Sequence, residues 1–258
     1  MNPDDLRAVI ALDPAAPLAE VFEALIALSE RAPPEVEVVF VEDDNLLRLA
    51  SLPGMVEVTG FANGGPRALP PDRLRMQLDE RAARIRRACD HARLELRLQS
   101  RFTILRGEVV DSLLRAAAGA DLLVVGRSLR SAGLRTWLGA APERLAARLA
   151  TTGGAASLMF VHEPWRTGRC ILRIDPGNGE PAALPRRLAE GLGRREDLPV
   201  EAVALPADGD PLALNRWLRE RCGRFDPRVL VLPLTEVGER LDLTALLEDL
   251  PASVLISR

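Results

Sequence analysis

Short apolar runs alternate along this chain with longer stretches in which apolar positions recur every three or four residues. Ala8-Val9-Ile10-Ala11-Leu12 is an unbroken apolar run that stops at Asp13-Pro14, the pattern of a strand buried on both faces and followed by a turn. Leu18, Val21, Leu25 and Leu28 then recur at helical spacing until Pro33-Pro34 stops the helix. Val36 to Val41 predicts a second strand, closed by Glu42-Asp43-Asp44, and Leu46, Leu47, Leu49 and Leu52 predict a short helix before Pro53-Gly54. The glycines and prolines of residues 54–71 mark a surface loop. Beyond Asp72, a candidate N-cap, Leu78, Ala82, Ile85, Cys89 and Ala92 trace one helical face, with Arg84, Arg86, Arg87 and Arg93 mostly off it as a solvated basic face. A third strand is expected near Phe102–Leu105, a helix near Val109–Ala118, and a buried fourth strand at Asp121-Leu122-Leu123-Val124-Val125-Gly126. Residues 127–138 read as a loop with a short helix, Pro142–Leu149 as a helix and Ser157–Val161 as a fifth strand. Strands and helices alternating in this way build a parallel sheet covered on both faces.

The remainder repeats these landmarks in abbreviated form. Cys170–Ile174 is a strand ending at Asp175-Pro176, as the first ended at Asp13-Pro14. Val200–Leu205 supplies a second strand and Leu212–Cys222 a helix. Val229–Leu232, preceded by Asp226, matches Leu122–Val125, preceded by Asp121. Leu243–Leu250 is helical, and Ser253–Ile256 matches Ser157–Phe160. The interval from Asp175 to Ser253 is about half that from Asp13 to Ser157; the missing stretch has the size of the long loop, one helix and one strand. Two domains are therefore expected, 1–163 and 168–258, joined through Glu163-Pro164-Trp165-Arg166-Thr167-Gly168.

Composition removes several chemistries. All 34 basic residues are arginine, with no lysine anywhere, so a P-loop lysine and a Schiff-base lysine are excluded. Acidic residues outnumber the arginines and the net charge is −3, which leaves no basic footprint for nucleic acid. Aromatic residues are only 3 %, too few for a base-stacking surface. Cys89, Cys170 and Cys222 are odd in number and far apart, so neither a disulfide framework nor a zinc site is indicated, and a reducing, cytoplasmic setting fits. The acidic start Met1-Asn2-Pro3-Asp4-Asp5 is unlike a signal peptide, and no apolar run is long enough to span a membrane.

Ile10-Ala11-Leu12-Asp13, Asp121 to Gly126, and Gly139-Ala140-Ala141-Pro142-Glu143-Arg144-Leu145, in this order of elements, resemble the universal stress protein family. The resemblance covers residues 7–162 well and 168–258 weakly, like a tandem form with a shortened second domain. It implies an open five-stranded doubly wound sheet, adenine-nucleotide-hydrolase-like with strand order 3-2-1-4-5, plus a smaller truncated repeat of that fold. It also implies a non-enzymatic regulatory module for stress response. The ATP-binding branch carries a phosphate loop G-x2-G-x9-G-[S/T], in which glycines bring the backbone close to phosphate and lead to a helix N-terminus. Gly126 and Gly139 match the first and third glycines. Leu129 stands in place of the second, Ala140 in place of the hydroxyl residue, and Pro142 lacks an N–H; Gly133 could restore the turn if the loop has slipped. In the resemblance Asp13 takes the place of the family's adenosine-contacting aspartate, and Val41 falls where the end of strand two faces the adenine. The nucleotide-binding set carried over is Ala11, Asp13, Val41, Gly126, Arg127, Leu129, Gly139, Ala140 and Ala141, for ATP or another adenine nucleotide. A nucleotide-free interaction module is the alternative, with Asp13-Pro14 an ordinary turn and Val41 ordinary core. Pro233-Leu234-Thr235 replaces the glycine turn in the second half, so no nucleotide is expected there.

His91 reads as a surface residue and His162 as structural, with acid–base work the alternative for His162-Glu163; Glu42-Asp43-Asp44 reads as a helix cap or, in the alternative, a cation site or a base at the cleft. No H-E-x-x-H, C-x-x-C, G-x-S-x-G or Walker sequence occurs, no catalytic residue or metal is assigned, and the chain is read as no enzyme. Family members pair through their fifth strands, so Ser157–Val161 and Ser253–Ser257 are expected to pair internally as a pseudo-dimer that covers two edges. A homodimer is a further expected form; no nucleic acid and no membrane partner is expected.

Overall fold

The computed structural model describes residues 6–11, 18–29, 34–54, 56–57, 67–68, 70–96, 98–127, 141–152, 157–162, 164–176, 183–236 and 240–258. The buried runs form strands β1 (Arg7–Ala11), β2 (Glu35–Asp43), β5 (Gln99–Gly107), β6 (Leu122–Arg127), β7 (Ser157–His162), β8 (Cys170–Asp175), β9 (Val200–Ala204), β10 (Pro227–Pro233) and β11 (Ser253–Ser257). A two-residue antiparallel ladder, β3 (Val56–Glu57) with β4 (Arg67–Ala68), lies within the expected loop. The helices are α1 (Leu18–Leu28), α2 (Asp44–Ala50), α3 (Pro71–Leu96), α4 (Val109–Ala116), α5 (Ala141–Thr152), α6 (Ala183–Glu196), α7 (Pro211–Phe225) and α8 (Leu243–Asp249).

The main strands join one sheet in the order β5-β2-β1-β6-β7-β11-β10-β8-β9. This corrects the expected five-stranded sheet with a smaller repeat beside it: the sheet has nine strands. Pairing is parallel throughout except at one seam, where β7 and β11 run antiparallel with Phe160 opposite Val254, Met159 opposite Leu255 and Ser157 opposite Ser257. The cause lies in the two strands themselves. Every residue of both is buried, so an isolated edge at either one would present apolar side chains beside unpaired peptide groups. At the seam Ser157 Oγ donates to Ser257 Oγ at 3.1 Å, and the His162 N–H donates to Ser253 Oγ at 2.9 Å.

Helices cover both faces, as a parallel sheet requires. One face carries α4, α5, α8 and α7, whose Leu113, Leu145, Leu246 and Leu218 meet Val9, Val125, Phe160 and Leu230 in a single core. The other carries α3, α1 and α6, whose Ile85, Phe22 and Leu192 meet Ile10, Val38, Met159 and Val231 in a second. Both cores run past the β7–β11 seam without a break: α5 packs on α8, and α1 on α6. Trp165, 2 % exposed, anchors the connecting segment, and its backbone N–H donates to Glu20 Oε2 at 2.7 Å.

Leu78, Ala82, Ile85, Cys89 and Ala92 are all buried, as their spacing required, on a helix that extends from Pro71. Asp72 sits inside its first turn, paired with Arg75 at 3.3 Å, rather than at the N-cap, because Pro71 already holds a helical position. Helix α6 is not legible from the sequence pattern: Pro185, Gly191 and Gly193 interrupt it. Gly193 is required by packing, since a Cβ there would lie 2.5 Å from Val200 Cγ2 and 2.9 Å from the Leu198 carbonyl.

Candidate functional site

The strand order reverses at β1. Its chain leads to α1 on one face, whereas α4 leads into the neighbouring β6 from the other, so the topological switch point, the place where open α/β sheets form a ligand crevice, lies at the carboxyl ends of β1 and β6. Ala11 closes β1, fully buried, opposite Val39 on one side and Val125 on the other. Gly126 and Arg127 extend β6 beyond the end of β1, where they pair with Val161 and His162 of β7. Val41 is a core residue by its side chain, 1 % exposed. Its peptide group is placed otherwise. The Glu35 N–H donates to the Leu6 carbonyl at 2.9 Å, and the two-residue alternation of a strand then turns the N–H and C=O of Val41 toward the β1 side, level with the crevice. Helix α5 begins at Ala141, so its N-terminal turn follows directly on Gly139-Ala140.

Of the nine residues carried over by resemblance, Ala11, Val41, Gly126, Arg127 and Ala141 are thus placed by β1, β2, β6 and α5. Asp13, Leu129, Gly139 and Ala140 lie outside the described residues, as does Gly133.

Ion pairs fix the helix behind the crevice. Arg144 Nη1 reaches Glu108 Oε1 at 3.2 Å and Arg148 Nη1 reaches Asp111 Oδ1 at 2.6 Å, tying α5 to α4. Glu108 also caps α4, with its carboxylate accepting from the Asp111 N–H at 2.7 Å. The acidic triplet after β2 resolves into separate structural duties. Asp43 caps α2 by accepting from the Asn45 N–H at 2.9 Å, and the buried Glu42 carboxylate takes Arg106 at 2.6 Å. Among the described residues no cluster of three or more His, Cys, Asp or Glu is arranged to hold a metal ion. His91 is on the surface beside Glu95, whereas His162 is buried at the end of β7. Cys89, Cys170 and Cys222 are free and buried; burial pushes the thiols up to about 12, 11 and 12.

The corresponding end of the second half is built differently. After β10 the chain enters a 3-10 turn, Leu234–Glu236. Arg240 donates there to Glu236 Oε2 at 2.6 Å and to the carbonyls of Pro206 and Ala207 at 2.5 and 3.0 Å, which staples the turn to the segment following β9. Asp175 is held by Arg173 through two contacts, 2.8 and 3.0 Å.

A cavity of about 420 Å³ opens at the opposite end of the sheet, between the N-terminal ends of β1, β2 and β5 and the C-terminal end of α4; its charged lining is Arg7, Glu35, Glu37, Arg93 and Arg101. The helix end there is the negative one, which disfavours a phosphate. Burial alone would raise the Glu37 carboxyl. Hydrogen bonds from Arg101 and Thr103, at 2.6 and 2.7 Å, and the charges of Arg101 and Arg7 outweigh it and hold Glu37 below the ordinary carboxylate value. Stability from a depressed carboxyl is present above its unfolded pKa and is lost as pH falls through the folded one. Glu37→Gln is therefore expected to lower stability at neutral pH by about 1 kcal/mol or less, and the gap to wild type should close as pH drops below the carboxylate range in a Tm-versus-pH series.

No protein-family profile matches the sequence, and no curated protein matches it. Solved structures match the fold. A universal stress protein from Archaeoglobus fulgidus aligns with a TM-score of 0.58 at 11 % identity, covering 98 % of this chain and 96 % of that one. The cytoplasmic domain of a prokaryotic cation chloride cotransporter aligns at 0.52 with 11 % identity, covering 98 % and 95 %. A functionally unknown protein from Pseudomonas aeruginosa aligns at 0.51 with 13 % identity, covering 98 % and 92 %. The chain has the α/β fold of a universal stress protein over nearly its whole length. Among the described residues no helix is long and apolar enough to cross a membrane.

Proposed function

We propose that the chain is a non-enzymatic, cytoplasmic regulatory module of the universal-stress type that binds an adenine nucleotide in its first half. The observation that carries the reading is the reversal of strand order at β1, with Ala11 ending β1, the Val41 peptide edge on its β2 side and Gly126-Arg127 leaving β6 on the other. In this reading the Val41 peptide meets the adenine edge, Asp13 the ribose, and the Gly126 to Ala141 segment with the first turn of α5 the phosphates.

The second half, 168–258, acts as an abbreviated copy of 1–163, and the two form a pseudo-dimer across the β7–β11 seam. Two correspondences support the duplication. The strand order on the far side of the seam is β9-β8-β10-β11, which matches β2-β1-β6-β7 with the outermost strand left out. Each half also ties the start of its first strand to the aspartate that precedes β6 or β10: the Arg7 N–H donates to the Asp121 side chain at 3.0 Å, and the N–H of Arg169, the residue before β8, donates to the Asp226 backbone carbonyl at 2.7 Å.

Thermal unfolding with ATP, ADP and AMP tests the reading. A ligand at about 100 times its Kd stabilises by roughly 2.7 kcal/mol, a rise in Tm of roughly 5–10 °C. Restoring the motif with Leu129→Gly and Ala140→Ser is expected to tighten binding roughly 2- to 10-fold, the worth of one hydrogen bond. No shift with any of the three nucleotides, in wild type and in the double variant, would favour the nucleotide-free interaction module, which the departures at Leu129, Ala140 and Pro142 already point toward.

A further inference from the structure

The two ends of the nine-stranded sheet are guarded differently. At the β5 end Arg101 and Arg106 project as exposed side chains, paired with Glu37 and Glu42, and α3 packs behind the strand. Charge of this kind discourages another strand from docking. In the second half β9 holds the place that β2 holds in the first, but among the described residues nothing takes the place of β5 or α3 beside it. Its sequence, Val200-Glu201-Ala202-Val203-Ala204, has no proline and no cation, although arginine is abundant elsewhere.

The hydrogen-bond register shows what this edge offers. The Ile171 N–H donates to the Pro199 carbonyl at 2.9 Å and the Leu205 N–H to the Asp175 carbonyl at 2.9 Å. In a parallel ladder this commits the peptide groups of Glu201 and Val203 to β8 and turns those of Val200, Ala202 and Ala204 outward. Ala202 and Ala204 are exposed, and Val200 is half-buried against the α6 side. Three outward residues centred on Ala202 are self-complementary under a two-fold rotation. Ala202 meets Ala202 of the second copy, and Val200 meets Ala204 of the second copy on either side. Each such pair exchanges two N–H···O=C bonds. Glu201 then lies opposite Val203 of the second copy, so like charges do not face each other.

We infer that β9 is an interface for a second copy of this chain, which pairs antiparallel about Ala202 and continues the sheet across the two-fold axis. The mode is the one the chain already uses internally at β7–β11. It does not depend on nucleotide binding. Five residues of pairing, flanked by α6 and α7, bury an area at the small end of specific interfaces, so the dimer is expected to dissociate on dilution.

Sedimentation velocity from low to high micromolar concentration is expected to show a monomer–dimer equilibrium, with hydrogen exchange at Val200, Ala202 and Ala204 slowing as the dimer forms. Ala202→Pro removes only an outward N–H, which an edge strand tolerates, and is expected to abolish the dimer while leaving the far-UV CD spectrum unchanged. Should that variant fail to fold, Ala202→Asp keeps the peptide group and sets two carboxylates face to face across the axis, with the same loss of dimer expected. A wild type that stays monomeric over the range, or a dimer that persists in whichever variant folds, overturns the inference.

Discussion

Cutting the chain after His162 is expected to yield aggregated protein rather than a soluble first half. The cut leaves β7 with no partner on one side, and all six of its residues are buried in the intact fold. It also uncovers the flank of α5 that packs on α8 and the flank of α1 that packs on α6, and it removes Trp165. A long apolar strand with a free row of peptide groups is a template for intermolecular pairing. Static light scattering and the soluble fraction on expression measure the outcome. A truncated chain that is monomeric and stable would mean that the seam is dispensable, and with it the proposed role of the second half.

Gly168→Ala is the single substitution expected to cost most. Gly168 has φ +103, and a Cβ built there would lie 2.3 Å from the Arg228 peptide nitrogen and 2.6 Å from both the Arg228 Cα and the Pro227 carbonyl carbon. These are backbone atoms at the start of β10 with no rotamer through which to withdraw, and the Arg169 N–H is already bonded to the Asp226 carbonyl at 2.7 Å beside them. Strain at a positive φ and the steric conflict together should cost about 3 kcal/mol or more, a fall in Tm of at least about 6 °C. Gly223→Ala on α7 is the matched control. Nothing lies within 4 Å of its added Cβ, so it is expected to be neutral or stabilising by up to about 1 kcal/mol. Calorimetry on both variants makes the comparison.

The contrast between these two glycines shows what a sequence holds and what it does not. Strands β1, β6, β7, β10 and β11 were readable because a strand covered on both faces must be continuously apolar. Helix α3 was readable from the spacing of Leu78, Ala82, Ile85, Cys89 and Ala92. Helix α6 was not: Gly193 admits Val200 and the Leu198 carbonyl, a tertiary reason that local propensity contradicts. The seam followed from the family resemblance and the two matching segments, but its merging of everything into one sheet did not, since periodicity says nothing about which edges meet. At the candidate site, Ala11 and Gly126 could be placed from the strands that carry them, and the role of Val41 separates into a buried side chain and a crevice-facing peptide group only once the register with β1 is known. The Arg240 staple in the second half ties the turn after β10 to Pro206 and Ala207, more than 30 positions away, a contact with no local signal.

The seam also bears on how the protein is made. Ser157 and Ser257 meet across it although 100 positions separate them in the chain. A ribosome adding about 5–20 residues per second needs roughly 5–20 s to cover that interval, and throughout it β7 lacks its β11 partner. Soluble yield should therefore depend on translation speed and on holding chaperones, and slowing elongation between the two serines should prolong the vulnerable interval and lower recovery even though the finished molecule is identical.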